Sequence, residues 1–182
     1  ARNGIRLVNV IEGGAQQRRK RAGTCNVPGD AALAAALEEG VANMEANAKK
    51  TAALRDRLIQ GLSDIPHSKL NGDPVKRLPG NVNYSFEGVE GESLLLALDE
   101  EGIRCSSGSA CTSESLDPSH VLMGMGVPVE AAHVSLRFSL NEENTEEEVD
   151  YIIEKVHEIV ALYRKMSPFW EELEKGEREH VI

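Results

Sequence analysis

The chain has 182 residues, with 30 acidic and 20 basic side chains and a formal net charge of -10 at pH 7. That length suits one domain or one domain with an appendage, and the acidic balance argues against a general nucleic-acid binder, whose footprint would be basic. No apolar run approaches the length of a bilayer span, and no charged start leads into an apolar stretch as a signal peptide would. The expectation is a protein of the cytoplasm, or an organelle equivalent, with no membrane partner.

The opening run Gly4 to Ile11 reads like the end of a strand entered halfway, which suggests a fragment. A Gly-rich basic stretch follows (Gly13 to Thr24). Pro28 and Asp30 then open a long amphipathic helix: Leu33, Leu37, Val41, Met44 and Ala48 recur at steps of three or four, and Leu54, Leu58, Leu62 and Ile65 continue the stripe up to Pro66. Turn signals at Gly72, Asp73, Pro74 and Pro79-Gly80 separate two short strands, Lys69 to Asn71 and Asn81 to Phe86. A helix from Gly91 to about Glu101 buries Leu94, Leu95 and Leu98, with Gly102 as its C-terminal cap. Ile103-Arg104-Cys105 is predicted as a strand and His120 to Met125 as a short helix.

Next, Val134, Leu136, Phe138 and Leu140 alternate with His133, Ser135, Arg137 and Ser139, the pattern of a half-buried strand with Arg137 on its polar face. Thr145 and Glu148 form a capping box for a helix whose apolar face is Val149, Ile152, Ile153, Val156, Ile159, Val160 and Tyr163. Ser167-Pro168 starts a last acidic helix holding Trp170. Strands alternating with helices predict an α/β fold, with helices on a small, mostly antiparallel sheet.

The chemistry concentrates between Ser106 and Ser113, where Cys111 sits among small, turn-forming residues with nothing bulky to bury it. Reactive cysteines occupy such partly exposed settings, because the thiolate is the nucleophile and must be reached. The same composition also suits a plain turn with an incidental cysteine. The three cysteines, Cys25, Cys105 and Cys111, are odd in number and include no CxxC pair, which argues against a disulfide framework and a thiolate zinc site. Cys105, on the predicted strand, reads as a packed, inert thiol. His120, His133 and His157 show no ligand spacing, so no metal site is expected.

The run Arg104 to Ser113, continued by Ser115-Leu116-Asp117-Pro118-Ser119-His120-Val121-Leu122, closely resembles the active-site loop of NifS/IscS-type cysteine desulfurases. These are fold-type I pyridoxal-phosphate enzymes of the class V aminotransferase superfamily. In the same order as in that family, Gly13-Gly14 to Arg21-Ala22-Gly23-Thr24 resembles its Gly-rich RxGT segment, Val89 to Leu94 its VEGESL helix start, and Leu136 to Leu140 its RFSL strand. The long SSGSACTS form resembles the housekeeping or nitrogen-fixation branch.

The resemblance implies a role for each matched residue. Cys111 would take sulfur from L-cysteine as a persulfide, leaving L-alanine, and could also ligate an iron-sulfur cluster transiently. Arg137 would grip the substrate carboxylate through a planar guanidinium fork, where residue type alone equally allows a surface ion pair. Thr24 would reach the phosphate of pyridoxal phosphate in the neighbouring subunit of a homodimer, where composition alone allows a solvated basic turn. The pattern departs from the family at Ala15 and at Cys25, which would put a second thiol near the site or simply be buried.

The Schiff-base lysine follows a Ser-x-His element in the family, and no lysine of this chain has that setting. The resemblance therefore covers the C-terminal part of the enzyme. Residues 1–29 are expected to end the large cofactor domain, 30–65 to form a linking helix, and 66–182 to form the small domain. The expected partners are L-cysteine and an iron-sulfur scaffold or other sulfur acceptor. A non-catalytic module docking a scaffold through its acidic last helix, or a selenocysteine lyase-like enzyme, are the competing readings.

Overall fold

The computed structural model describes residues 4–5, 8–107 and 118–182. Two compact units, Ala1–Met44 and Glu45–Ile182, make up the chain. In chain order the elements are α1 (Gln16–Arg19), α2 (Val27–Leu62), β1 (Ser68–Leu70), β2 (Asn81–Phe86), α3 (Gly91–Glu100), β3 (Ser106–Ser107), α4 (His120–Gly124), α5 (Val129–His133), β4 (Ser135–Ser139), α6 (Glu146–Met166) and α7 (Pro168–Glu174). No helix is long and apolar enough to cross a membrane among the described residues.

In the first unit, the described residues of the run 4–11 form no strand, against expectation. The stripe Leu33, Leu37, Val41 and Met44 on α2 is 61, 58, 68 and 60 % exposed. Periodicity marks which side of a helix can be buried; whether a partner lies against it is a separate matter.

The second unit is an α/β layer structure. Its four strands run in the order β1-β2-β4-β3, and every neighbouring pair is antiparallel. Alternation along β2 sends Val82, Tyr84 and Phe86 to one face and Asn81, Asn83 and Ser85 to the other. The apolar face meets Leu54, Leu58 and Leu62 of α2, Leu94 and Leu98 of α3, and Val149, Val156, Ile159 and Val160 of α6, which together form the core. Burying such side chains is the main favourable term in folding. The opposite, polar face is left to build a pocket.

Local signals explain the element ends. Glu90 caps α3 by accepting from the Ser93 N–H. Gly102 (φ +78°) closes α3 in a Schellman motif: its N–H goes to Asp99 O, and the Ile103 N–H to Leu98 O at 2.8 Å. This corrects the strand expected at 103–105. The Ile103 N–H caps a helix, the side chain enters the core at 6 % exposure, and sheet pairing begins only at Ser106. Both halves of the Thr145–Glu148 capping box form at the start of α6. Ser167 caps α7, with Pro168 in its first turn.

Two further expectations are corrected around β4. His133 ends the short helix α5 instead of starting the strand. Ser135, expected on the polar side of a half-buried strand, is 1 % exposed, and its hydroxyl donates to Ala132 O at 2.7 Å. A small hydroxyl satisfied by a local carbonyl is cheap to bury.

Candidate functional site

The polar sheet face carries one row of side chains across three strands. Asn83 on β2 pairs with Arg137 on β4, and Arg137 pairs with Ser106 on β3. Residues directly opposite in antiparallel strands point to the same face. Arg137 Nη2 donates to Ser106 Oγ at 3.4 Å, yet the arginine stays exposed. The row is thus a guanidinium flanked by an amide and a hydroxyl.

A cavity of about 420 Å³ opens over this row, lined by Arg137, Asn83, Ser106, Lys76, Arg77 and Asp73 among others, with Val121, Leu122 and Met125 as an apolar wall. Its floor is fixed by a buried relay. Asn71 Nδ2 donates to Asn83 Oδ1 at 2.7 Å and to Ser85 Oγ at 2.8 Å, and the Ser85 hydroxyl donates to Ala131 O at 2.7 Å. Each side chain of the relay is thereby positioned by another element.

The cations outnumber the free acids. Asp73 is engaged by the backbone N–H groups of Lys76 (2.7 Å) and Val75 (2.8 Å), which hold its carboxyl below the usual range. Arg77 Nη2 donates to Asn71 O, while its Nε and Nη1 are buried without a protein partner. Burial, and then the charge of Arg55, pull that guanidinium below its ordinary pKa. Partnerless buried donors cost free energy. The pocket can hold a small carboxylate, oriented by Arg137 and flanked by amide groups.

The sequence-predicted residues fall in different places. Arg137 is in this pocket. Cys111 lies outside the described residues. Thr24 is exposed in the first unit, after the turn of α1, where Gln17, Arg18 and Arg19 hold φ of 51°, 57° and 62°. Such left-handed non-glycine backbone is costly by about 1–2 kcal/mol per residue. Arg21 Nη1 folds back to Gly23 O at 2.8 Å, and Gln17 Nε2 lies 3.2 Å from Cys25 Sγ, which is half-buried. Cys105 is half-buried against the core, where burial and then Asp99 push its thiol up to about 11. It packs against the core as expected, though in a loop and not on a strand.

Asn71, Asn83 and Arg77 were not singled out from the sequence. The signal for Asn83 was the polar register of β2, in step with Asn81 and Ser85. Arg77 had none, because its place depends on how the turn after Gly72 folds.

The family model for aminotransferase class-V matches residues 5–152. Cysteine desulfurase IscS of Clostridium botulinum is 51 % identical over 181 residues, which is 98 % of this chain and 46 % of that protein. IscS of Methanosarcina thermophila is 53 % identical over 92 % of this chain and 41 % of its own length, and cysteine desulfurase NifS of Azotobacter vinelandii 47 % over 93 % and 42 %. A solved NifS-like protein superposes with a TM-score of 0.77 at 35 % identity, covering 88 % of this chain and 41 % of that one. A NifS-like protein from Rickettsia africae gives 0.75 at 30 %, over 85 % and 40 %. The chain spans less than half the length of these relatives.

Proposed function

The chain belongs to the class V aminotransferase family as a homologue of the IscS and NifS cysteine desulfurases, and from that premise we propose that the whole protein removes sulfur from L-cysteine. In this reading Arg137 binds the substrate carboxylate, Cys111 accepts the sulfur, and L-alanine leaves. The observation that carries it is the setting of Arg137: exposed between Asn83 and Ser106, in a pocket rich in cations where Asp73, the one lining carboxylate among the described residues, accepts two backbone N–H groups.

The family depends on pyridoxal phosphate, and the pocket residues do not fit that group. Among the described residues, no aromatic or imidazole side chain lines the cavity to cover a ring. The pocket suits the amino-acid end of a substrate only. We therefore assign the cofactor to residues beyond this pocket. Thr24, exposed beside Gly23 (φ +97°) with Arg21 nearby, is the residue of this chain we propose to meet the phosphate of a neighbouring subunit, in a homodimer.

The sulfur step balances without an added oxidant. The Cys111 sulfur bonds to the substrate sulfur as the carbon–sulfur bond breaks. The electron pair stays with the carbon skeleton, which gains the proton that Cys111 loses, so the carbon is reduced and the thiol oxidised to a persulfide. A thiolate is the competent nucleophile. Small residues on both sides of Cys111 suit a thiol that must serve a bound substrate and then an acceptor such as an iron-sulfur scaffold protein. Since no lysine here has the Ser-x-His setting, we infer that this chain alone is inactive.

The deciding experiment follows alanine formation from L-cysteine by the whole protein, with Cys111→Ser beside it. Loss of persulfide with retained substrate binding supports the reading. Undiminished sulfur transfer by Cys111→Ser sinks it.

A further inference from the structure

Away from the Arg137 pocket, three side chains far apart in sequence converge at the last residues of the chain. Among the described residues, His67, Glu87 and His180 present ligand atoms that all lie within 4.8 Å of one another. His180 Nδ1 is 2.7 Å from Glu87 Oε2, and His67 Nδ1 is 3.7 Å from the same oxygen. Two donors on a tetrahedral zinc ion stand about 3.4 Å apart, given metal–ligand bonds of about 2.1 Å, so these separations bracket the requirement.

The surroundings hold the carboxylate rigidly and leave the imidazoles adjustable. Glu87 is 4 % exposed, and its other oxygen accepts the Val181 N–H at 2.5 Å. Arg164 fixes the backbone beneath, with Nε donating to Glu87 O at 2.9 Å and Nη2 to His67 O at 3.1 Å. Trp170 stands edge-on to both imidazoles, 5.5 and 6.2 Å away. The two rings are stacked at 3.9 Å with their side chains 37 and 34 % exposed, so they have room to splay and turn their Nδ1 lone pairs to one centre. His67 itself holds φ at +50°, a position that costs a non-glycine residue free energy and recurs at functional sites.

We propose that His67, Glu87 and His180 form a site for a zinc-class divalent cation that staples residues 180–182 to the body of the second unit. Two imidazoles and one carboxylate are the donor set of three-ligand zinc sites, with a fourth position for water, and they disfavour calcium or magnesium. The cation would take the place of the proton shared by His180 Nδ1 and Glu87 Oε2, leaving His180 as its Nε2–H tautomer. The staple would also hold Val181 and Ile182 over an apolar cavity of about 210 Å³ that they line with Phe169, Ala131 and Val134. Positions 67, 87 and 180 have no ligand spacing in the sequence; only the fold brings them together.

The test uses untagged protein stripped of metal, titrated with Co²⁺ as a visible probe and then with Zn²⁺ in competition. One equivalent of cobalt should give d–d bands without the charge-transfer band of thiolate ligation, which separates this site from the cysteines. His180→Ala and His67→Ala should each weaken binding at least about 10-fold, the size of effect that even outer-shell changes produce. His180 lies outside every helix and strand, so circular dichroism checks that the fold of His180→Ala is kept. Hydrogen exchange at residues 178–182 should slow on adding Zn²⁺ in the parent and not in His180→Ala. Equal affinity in parent and His180→Ala, cobalt bound only through thiolate, or exchange unchanged by Zn²⁺ would each overturn the proposal.

Discussion

Arg137 on β4 and Ser106 on β3 face each other across an antiparallel pair and touch, Nη2 to Oγ at 3.4 Å. The same two-residue strand that supports the arginine leads directly into the Ser/Gly segment holding Cys111. Sheet register ties the root of that segment to Arg137, the residue we propose to bind the substrate carboxylate.

Replacing Arg137 by Ala in the whole protein should therefore raise KM for L-cysteine, with kcat/KM falling about 10- to 100-fold, the value of a charge-assisted hydrogen bond of about 1.5–3 kcal/mol. Arg137→Lys should recover only part, because a point charge cannot form the fork. Arg77→Ala should raise KM less and leave kcat near its parent value. Steady-state alanine production reads all three, and an unchanged KM in Arg137→Ala would refute the assignment.

Cys111 and Cys105 should part company under alkylation. With its pKa raised from 9.0 to about 11, Cys105 holds about 100-fold less thiolate than an ordinary thiol near neutral pH. Mass spectrometry of iodoacetamide-treated protein should find Cys111 labelled first, and Cys105→Ser should keep activity. The folded state holds the Cys105 proton more tightly, so its contribution to stability is complete below about pH 9 and is lost as pH rises through about 11.

Arg164 is 7 % exposed, joins Glu87 O and His67 O, and lies over the Trp170 ring at 4.1 Å. Arg164→Ala strands two carbonyls and empties packed space, and should cost about 2–4 kcal/mol in urea unfolding. Arg164→Lys should rescue little, since one ammonium cannot reproduce the planar contacts. Full stability in the alanine variant would show that the carbonyls find other donors.

Thr145→Ala removes the acceptor of the Glu148 N–H at the start of α6. A loss of about 1 kcal/mol is expected, as for other N-caps. Double-mutant analysis with Glu148→Ala should show the two effects to be non-additive.

Much of this architecture was legible in the residues because the signals are local. The Thr145–Glu148 box, the Gly102 cap, Ser167-Pro168 and the turn signals before β2 each act within a few residues, and each element formed where expected. Cys105 and His133 were misplaced by one element because a Schellman cap and a short helix compete with strand pairing over the same few residues. Arg137 was legible through its resemblance to a family motif. Arg77, Asn71 and the His67–Glu87–His180 cluster were not, since each depends on segments that meet only after the chain has folded.

The central ladder joins β2 to β4, which are separated in sequence by α3, β3, α4 and α5. Closing so long a loop is entropically slow and is rewarded only once the pairing is made. Asn83 and Arg137 become neighbours at that moment, so the pocket has no partly folded precursor. The chain acquires the Asn83–Arg137–Ser106 row in the same cooperative event that completes its sheet, and a nascent polypeptide still short of residue 135 would lack the strand against which both β2 and β3 pair.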